Sequence, residues 1–214
     1  MRVKTDRFFD VAPSRQKGRH SIERITSRTG FRRAEQFVNE NHSYIDWADR
    51  PSRKMYWLLY EDDCLVGVFG LGSAFARPKP MADFMSEHDI SFNELGNNIV
   101  FCMSGQEDRN AGTKFLGLVR RDAKEWWQER YGDTLRAIQT FILPPRNGAV
   151  YRADNWQLIG ETSGKSQAVR TLTKEEAEGY TGSIERREFK SGEVKFLVRS
   201  FVETPKKLMF VRMI

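Results

Sequence analysis

Cysteine and histidine are scarce in this chain of 214 residues, with two of the first and three of the second. Cys64 and Cys102 each stand in an apolar, strand-like run, which predicts buried free thiols rather than a disulfide and a reducing, cytoplasmic setting. His20, His42 and His88 have no Cys or His at ligand spacing, so there is no recognisable metal signature. No apolar run approaches the roughly eighteen residues that suggest a membrane helix, and the basic N-terminal stretch lacks the apolar core of a secretory signal. Internal repeats, low-complexity segments and long linkers are also absent. A single domain spanning 1–214 is expected, with 1–19 as a basic arm.

What is present is bulk and unevenly spread charge. Fifteen Phe and five Trp supply large packing units, and 39% hydrophobic against 30% charged residues is an ordinary globular balance. Residues 1–33 hold ten Lys/Arg against three Asp/Glu, and residues 183–214 hold eight against four. The stretch between them holds seventeen against twenty-two. Basic ends around a mildly acidic middle predict a surface that faces a polyanion.

Along the chain, residues 20–26 alternate as a strand and residues 31–39 place Phe31, Ala34, Phe37 and Val38 on one helical face. Residues 55–60 and 64–72 form a hairpin across Glu61-Asp62-Asp63, and residues 98–103 (NIVFCM) read as a buried central strand. A polar loop, 105–114, leads into a helix over 115–131 stopped by Gly132. A strand over 135–143, a short helix around Tyr151 and a strand over 157–160 follow. Residues 184–189, 194–202 and 208–213 close the chain as β structure. The fold class is α+β: a mixed, mostly antiparallel sheet flanked by helices, with extra C-terminal strands.

Two glycine-containing loops invite a phosphate. Gly160-Glu-Thr-Ser-Gly164-Lys165-Ser166 has three residues between its glycines where a P-loop has four, and no clean apolar helix follows. That excludes the P-loop NTPase reading. Arg109-Asn110-Ala111-Gly112-Thr113-Lys114 is better placed, between a buried strand and the longest helix. Free N–H groups and the positive end of the helix dipole meet there, which suits a pyrophosphate. Arg109 and Lys114 add charge, and Gly112 permits close approach.

The element order and two motifs together resemble the GNAT family of N-acyltransferases. In that family an R/Q-x-x-G-x-G/A loop cradles the pyrophosphate of coenzyme A, and RNAGTK supplies the Arg and first Gly but has Lys114 where a small residue is usual. A family tyrosine on a short helix, followed four residues on by Gly and Phe, is matched in spacing by Tyr151-Arg-Ala-Asp-Asn155-Trp156. Asn41-His42-Ser43-Tyr44, RNAGTKFLG, YRADNWQLIGETSG and the closing Thr204-Pro-Lys-Lys-Leu-Met-Phe-Val-Arg212 further resemble the Mom family of phage DNA-modification proteins. Those proteins convert adenine in duplex DNA to an N6-substituted, carbamoylmethyl-type base that resists host restriction. Ser43 interrupts the family's usual His-Tyr pair.

The resemblance implies acetyl-CoA or another acyl-CoA as donor and double-stranded DNA as partner. Arg109, Asn110, Ala111, Gly112, Thr113 and Lys114 would hold the donor's phosphates. Tyr151 would protonate the leaving thiolate, Asp154 would orient Tyr151 or the base, and His42 would act as base or ligand. Arg32, Arg33, Lys206 and Lys207 would contact DNA phosphates, and Trp47 would stack on a flipped base, as would Tyr44 or Trp156. Plain acyl transfer does not build a carbamoylmethyl group, which leaves room for an additional cofactor. Two rival readings remain: a GNAT enzyme acting on a protein or small-molecule amine, and a non-catalytic GNAT-like module that binds DNA.

Overall fold

The computed structural model describes residues 19–42, 53–74, 78–189 and 191–214. Its centre is a seven-stranded sheet. In chain order the strands and helices are β1 (His20–Arg24), α1 (Arg28–Asn41), β2 (Lys54–Glu61), β3 (Cys64–Ser73), α2 (Lys79–Glu87), β4 (Leu95–Met103) and α3 (Ala111–Tyr131). Then come β5 (Ala137–Ile142), α4 (Ala149–Ala153), β6 (Gln157–Glu161), β7 (Lys165–Leu172), α5 (Lys174–Glu178), β8 (Glu185–Glu188), β9 (Val194–Glu203) and β10 (Leu208–Met213). The large sheet runs β1-β2-β3-β4-β5-β10-β6, and every neighbouring pair is antiparallel except β4 with β5. This is the α+β architecture the sequence predicts.

Local chemistry accounts for most boundaries. Ser27 caps α1 by accepting from the Gly30 N–H at 3.1 Å, so the helix starts three residues before the apolar face begins. The β2–β3 hairpin turns on Asp62 and Asp63, both at positive φ, as a two-residue turn matched to strand twist requires. Cys64 is the first residue after that turn and is exposed; Cys102 is buried, and both are free thiols. The expectation of two buried thiols holds only for Cys102, because Cys64 sits at the sheet's end rather than within it. Helix α2 was not legible in residues 78–87, where Lys79-Pro80 opens it: Pro in the first turn costs no hydrogen bond.

Helices cover both faces. On one face α3 and α4 bury Phe115, Val119, Ala123, Trp127 and Tyr151 against Trp57, Phe69, Ile138 and Phe210. On the other face α1 closes a cluster with Tyr56, Val68, Ile99 and Val100. Helix α2 closes a separate one there, with Leu95, Ala137 and Val211.

Of the closing strands, β10 departs from expectation and β8 and β9 are extra, as expected. β10 is no addition: it lies inside the large sheet, between β5 and β6. β7, β8 and β9 form their own three-stranded sheet, inserted into what would otherwise be a β6–β10 hairpin. The two chains of this neck are tied by the Thr162 N–H to the Lys207 carbonyl and by the Lys207 N–H to Thr162 Oγ1, each 2.9 Å. Of seven large apolar side chains exposed among the described residues, five (Val169, Tyr180, Phe189, Phe201 and Val202) are on this arm, so it adds little to the core. Gly164, with φ near +71°, turns the chain directly into β7, so the Gly160–Ser166 segment is a strand connection with no helix behind it.

Candidate functional site where β4 and β5 part

The parallel pair β4 and β5 is short. Leu95, Gly96 and Asn97 face Ala137, Ile138 and Gln139, and then the strands run on without pairing to each other. β4 bulges at this point: Val100 faces Gly70 and Asn98 faces Leu71, leaving Ile99 unpaired. The Asn98 amide fills the break by donating to the carbonyls of Gly70 (3.0 Å) and Val100 (2.7 Å). Because its N–H groups are spent there, its oxygen faces the gap as an acceptor.

Tyr151 meets that oxygen. Its buried hydroxyl donates to Asn98 Oδ1 at 2.6 Å, with Thr140 Oγ1 3.5 Å from the same atom. The ring packs edge-on against Trp156 and Phe101 and stacks on Phe210. Helix α4 ends just beyond, and Asn155 takes the left-handed conformation at φ 58°. Asn is among the few non-glycine residues that adopt this backbone readily, which explains how it stands in a glycine position.

Asp154 does not reach the Tyr151 hydroxyl. Its carboxylate takes a two-pronged hydrogen bond from Arg120 of α3, at 2.7 and 3.1 Å, and a third from the Trp156 indole at 2.8 Å. Burial holds the Arg120 guanidinium below its ordinary value, while the Asp154 charge opposes that. The aspartate therefore fastens α4 to α3 and fixes Tyr151 through the helix it sits on.

The loop after β4 divides differently from the sequence reading. Only Arg109 and Asn110 precede α3; Ala111, Gly112, Thr113 and Lys114 form its first turn. Asn110, at φ 71°, sets the entry and makes no side-chain cap. The Ala111 N–H bonds the Asp108 carbonyl, and Lys114 N–H bonds that of Asn110. The N–H groups of Gly112 and Thr113 have no acceptor among the described residues, leaving two donors at the positive end of a 21-residue helix. Arg109 and Lys114 are exposed beside them. A Cβ on Gly112 would lie 2.9 Å from Val150 of α4, so this glycine also serves helix packing. The loop itself is held by Glu61, which accepts from the Asp108 N–H at 3.0 Å and pairs with His20 at 2.9 Å. The Asp108 bond, aided by His20 and Arg19, keeps the Glu61 carboxyl below the usual range.

His42 ends α1, its backbone N–H on the Val38 carbonyl. Burial, and then the charge of Arg146 on the β5–α4 connection, push its imidazole pKa down, which favours the neutral form. Arg32 and Arg33 are exposed on α1, and the Arg33 guanidinium lies 5.8 Å over the Tyr60 ring. Lys206 and Lys207 are exposed on the returning chain of the neck. Trp47 and Tyr44 lie outside the described residues. Trp156 is buried, its indole spent on Asp154. Among the described residues no cluster of three His, Cys, Asp or Glu is arranged to hold a metal ion, and no helix is long and apolar enough to cross a membrane.

No protein-family model matches the chain, and no curated protein matches it. Its structure is similar to solved acetyltransferases. One, from Salmonella typhimurium, modifies the N-terminal serine of 50S ribosomal subunit protein L7/L12; the TM-score is 0.48 at 10% identity, over 91% of this chain and 95% of that one. Another is a GNAT family acetyltransferase from Elizabethkingia anophelis with acetyl-CoA bound, at TM-score 0.46 and 8% identity, over 92% and 100%. Likeness at this level carries no functional argument, which rests instead on the residues above.

Sequence reasoning missed Asn98, Thr140 and Arg120. The two adjacent asparagines opening an otherwise apolar strand, Asn97-Asn98, were the available signal. Arg120 carried none, since its partner is 34 residues away.

Proposed function

We propose that this protein is an acyl-CoA-dependent transferase of the GNAT type, and that its acceptor is the N6 amino group of adenine in duplex DNA. The observation that carries the donor half is the alignment of three features on one strand end. These are the free N–H groups of Gly112 and Thr113, the gap between β4 and β5, and the Tyr151 hydroxyl at its base. The helix terminus suits a pyrophosphate, and the gap admits an extended chain between strands that still present backbone donors and acceptors. When bound, the donor supplies an activated acyl carbon with a thiolate leaving group.

In this reading Gly112, Thr113, Arg109 and Lys114 bind phosphates, and Asn110 and Ala111 shape the turn that presents them. Tyr151 keeps its phenolic proton, hydrogen-bonded to Asn98, and would pass it to the departing thiolate, becoming a phenolate that a proton from solvent restores. His42, held toward neutrality, is a base for the proton lost from the acceptor nitrogen. Asp154 and Arg120 keep α4 in place. The adenine half is supported by the scattered Mom-like motifs and by the basic ends, whose Arg32, Arg33, Lys206 and Lys207 are exposed.

Nucleoside mass spectrometry of DNA from cells expressing the protein tests the proposal. A modified adenosine, absent with an empty vector, is the expected result. Unmodified DNA together with acylation of a protein or small-molecule amine would move the acceptor outside nucleic acid.

A further inference from the structure

On the sheet face opposite Tyr151, directly behind the point where β4 and β5 part, two amide side chains are buried without adequate partners. Gln139 is 0% exposed, and neither its Oε1 nor its Nε2 has a hydrogen-bond partner. Asn97, facing it across the last paired position of β4 and β5, is 4% exposed and has a buried Oδ1 with none. Burying an amide unpaired costs on the order of 1–3 kcal/mol by mutational measures. Native interiors rarely keep such groups without a purpose.

Their place in the fold suggests the purpose. Successive strand residues point to opposite faces, so Asn98 and Thr140 look toward α4 while Asn97 and Gln139 look toward α1 and α2. There the core is split. The α1 cluster holds Ile99 and Val100, the α2 cluster holds Leu95, Ala137 and Val211, and Asn97 and Gln139 lie between the two. The unpaired amides thus lie on the buried face where the two apolar clusters meet, at the last paired position before the gap assigned to the acyl chain.

We propose that Asn97 and Gln139 recognise the acceptor, as a hydrogen-bonding floor for an amino group flanked by a ring nitrogen. This inference rests on the transferase reading above and deepens its acceptor half. The orphaned atoms are one donor, Gln139 Nε2, and two acceptors, Gln139 Oε1 and Asn97 Oδ1. Their complement is a group with two N–H donors beside one acceptor. Adenine presents that set, as its N6 amino group next to N1 or N7, and glutamine or asparagine pairs with such an edge through two bonds. A lysine ammonium fits poorly: it offers no acceptor to Nε2 and brings a full charge to a floor that supplies no carboxylate.

The test uses the whole purified chain with Gln139→Leu, Asn97→Leu and wild type. Calorimetry with coenzyme A reports the donor side, and titration of the coenzyme A complex with adenosine, followed by ligand NMR, reports the acceptor side. The expected result is that wild type binds adenosine at least tenfold more tightly than N6,N6-dimethyladenosine, which lacks both N–H donors. Both variants lose that preference while binding coenzyme A within about twofold of wild type. A purely structural role predicts otherwise, since replacing an unsatisfied amide by a hydrocarbon of similar size is neutral or stabilising. Wild type that fails to bind or discriminate adenosine, or Gln139→Leu that still discriminates, overturns the inference. The reading of the protein as a DNA-modifying enzyme fails separately: unmodified DNA in wild-type cells sinks it, even where Gln139-dependent adenosine recognition stands.

Discussion

The Tyr151 hydroxyl donates a hydrogen bond to Asn98 Oδ1 at 2.6 Å, and the direction of that bond is fixed by Asn98 itself. Both Asn98 N–H groups are committed to the carbonyls of Gly70 and Val100, so its oxygen can only accept. The proposed acid role requires the phenol proton to leave Asn98 Oδ1 for the sulfur of the departing thiolate. Tyr151→Phe removes the hydroxyl and leaves the ring. Loss of an acid of this kind lowers the rate by about 10²–10⁴-fold, against a stability change of about 1–2 kcal/mol. Modified adenine measured at matched levels of folded protein separates the two, and undiminished modification would make Tyr151 an anchor.

Asp154 is expected to behave as a fastening. Asp154→Ala leaves the Arg120 guanidinium and the Trp156 indole without their acceptor, costing about 1–3 kcal/mol because the pair is only partly sealed from water. Thermal melts should show that loss, and the double variant Asp154→Ala/Arg120→Met should recover much of it. A folded Asp154→Asn enzyme with its rate down by more than about 10²-fold would instead put the carboxylate in the chemistry.

His42 carries a pH signature. Its pKa in the folded protein is lowered, by burial first and by Arg146 second, so the unfolded chain binds its proton more readily. Stability contributed by this group is intact above the unfolded value of about 6.5 and declines as pH falls toward the folded value. Activity that needs the neutral imidazole should decline over the same acid limb. Arg146→Gln removes one of the two causes and should shift the limb to higher pH; a limb that stays in place would exclude His42 as its source.

Charge reversal tests the proposed DNA surface. Arg32→Glu with Arg33→Glu, or Lys206→Glu with Lys207→Glu, should weaken duplex binding. Each lost phosphate contact should also reduce the slope of log affinity against log salt by about one unit. Unchanged slopes for both pairs would make the basic ends merely solubilising.

The junction that carries the candidate donor loop was legible because its signals are local. Residues 109–114 announce a strand-to-helix junction by composition alone, although the helix begins at Ala111, four residues before the apolar face that advertised it. Tyr151 was legible from the spacing to Asn155 and Trp156. What escaped was set by tertiary contact: the Arg120–Asp154 link joins two helices, and Asn97 meets Gln139 only after β4 and β5 align in parallel. β10 was legible as a strand but not as a member of the large sheet, since nothing within residues 208–213 states that they pair with β5.

The neck formed by Thr162 and Lys207 gives the small sheet an unusual independence. Its strands enter and leave through adjacent, hydrogen-bonded backbone, so the large sheet on either side is geometrically indifferent to what lies between. A tight turn joining β6 to β10 would close the same hairpin without disturbing Tyr151, the α3 terminus or the Asn97–Gln139 floor. The arm's length is therefore uncoupled from the register of β6 on β10, and its exposed Phe201 and Val169 contribute nothing to the packing around Tyr151.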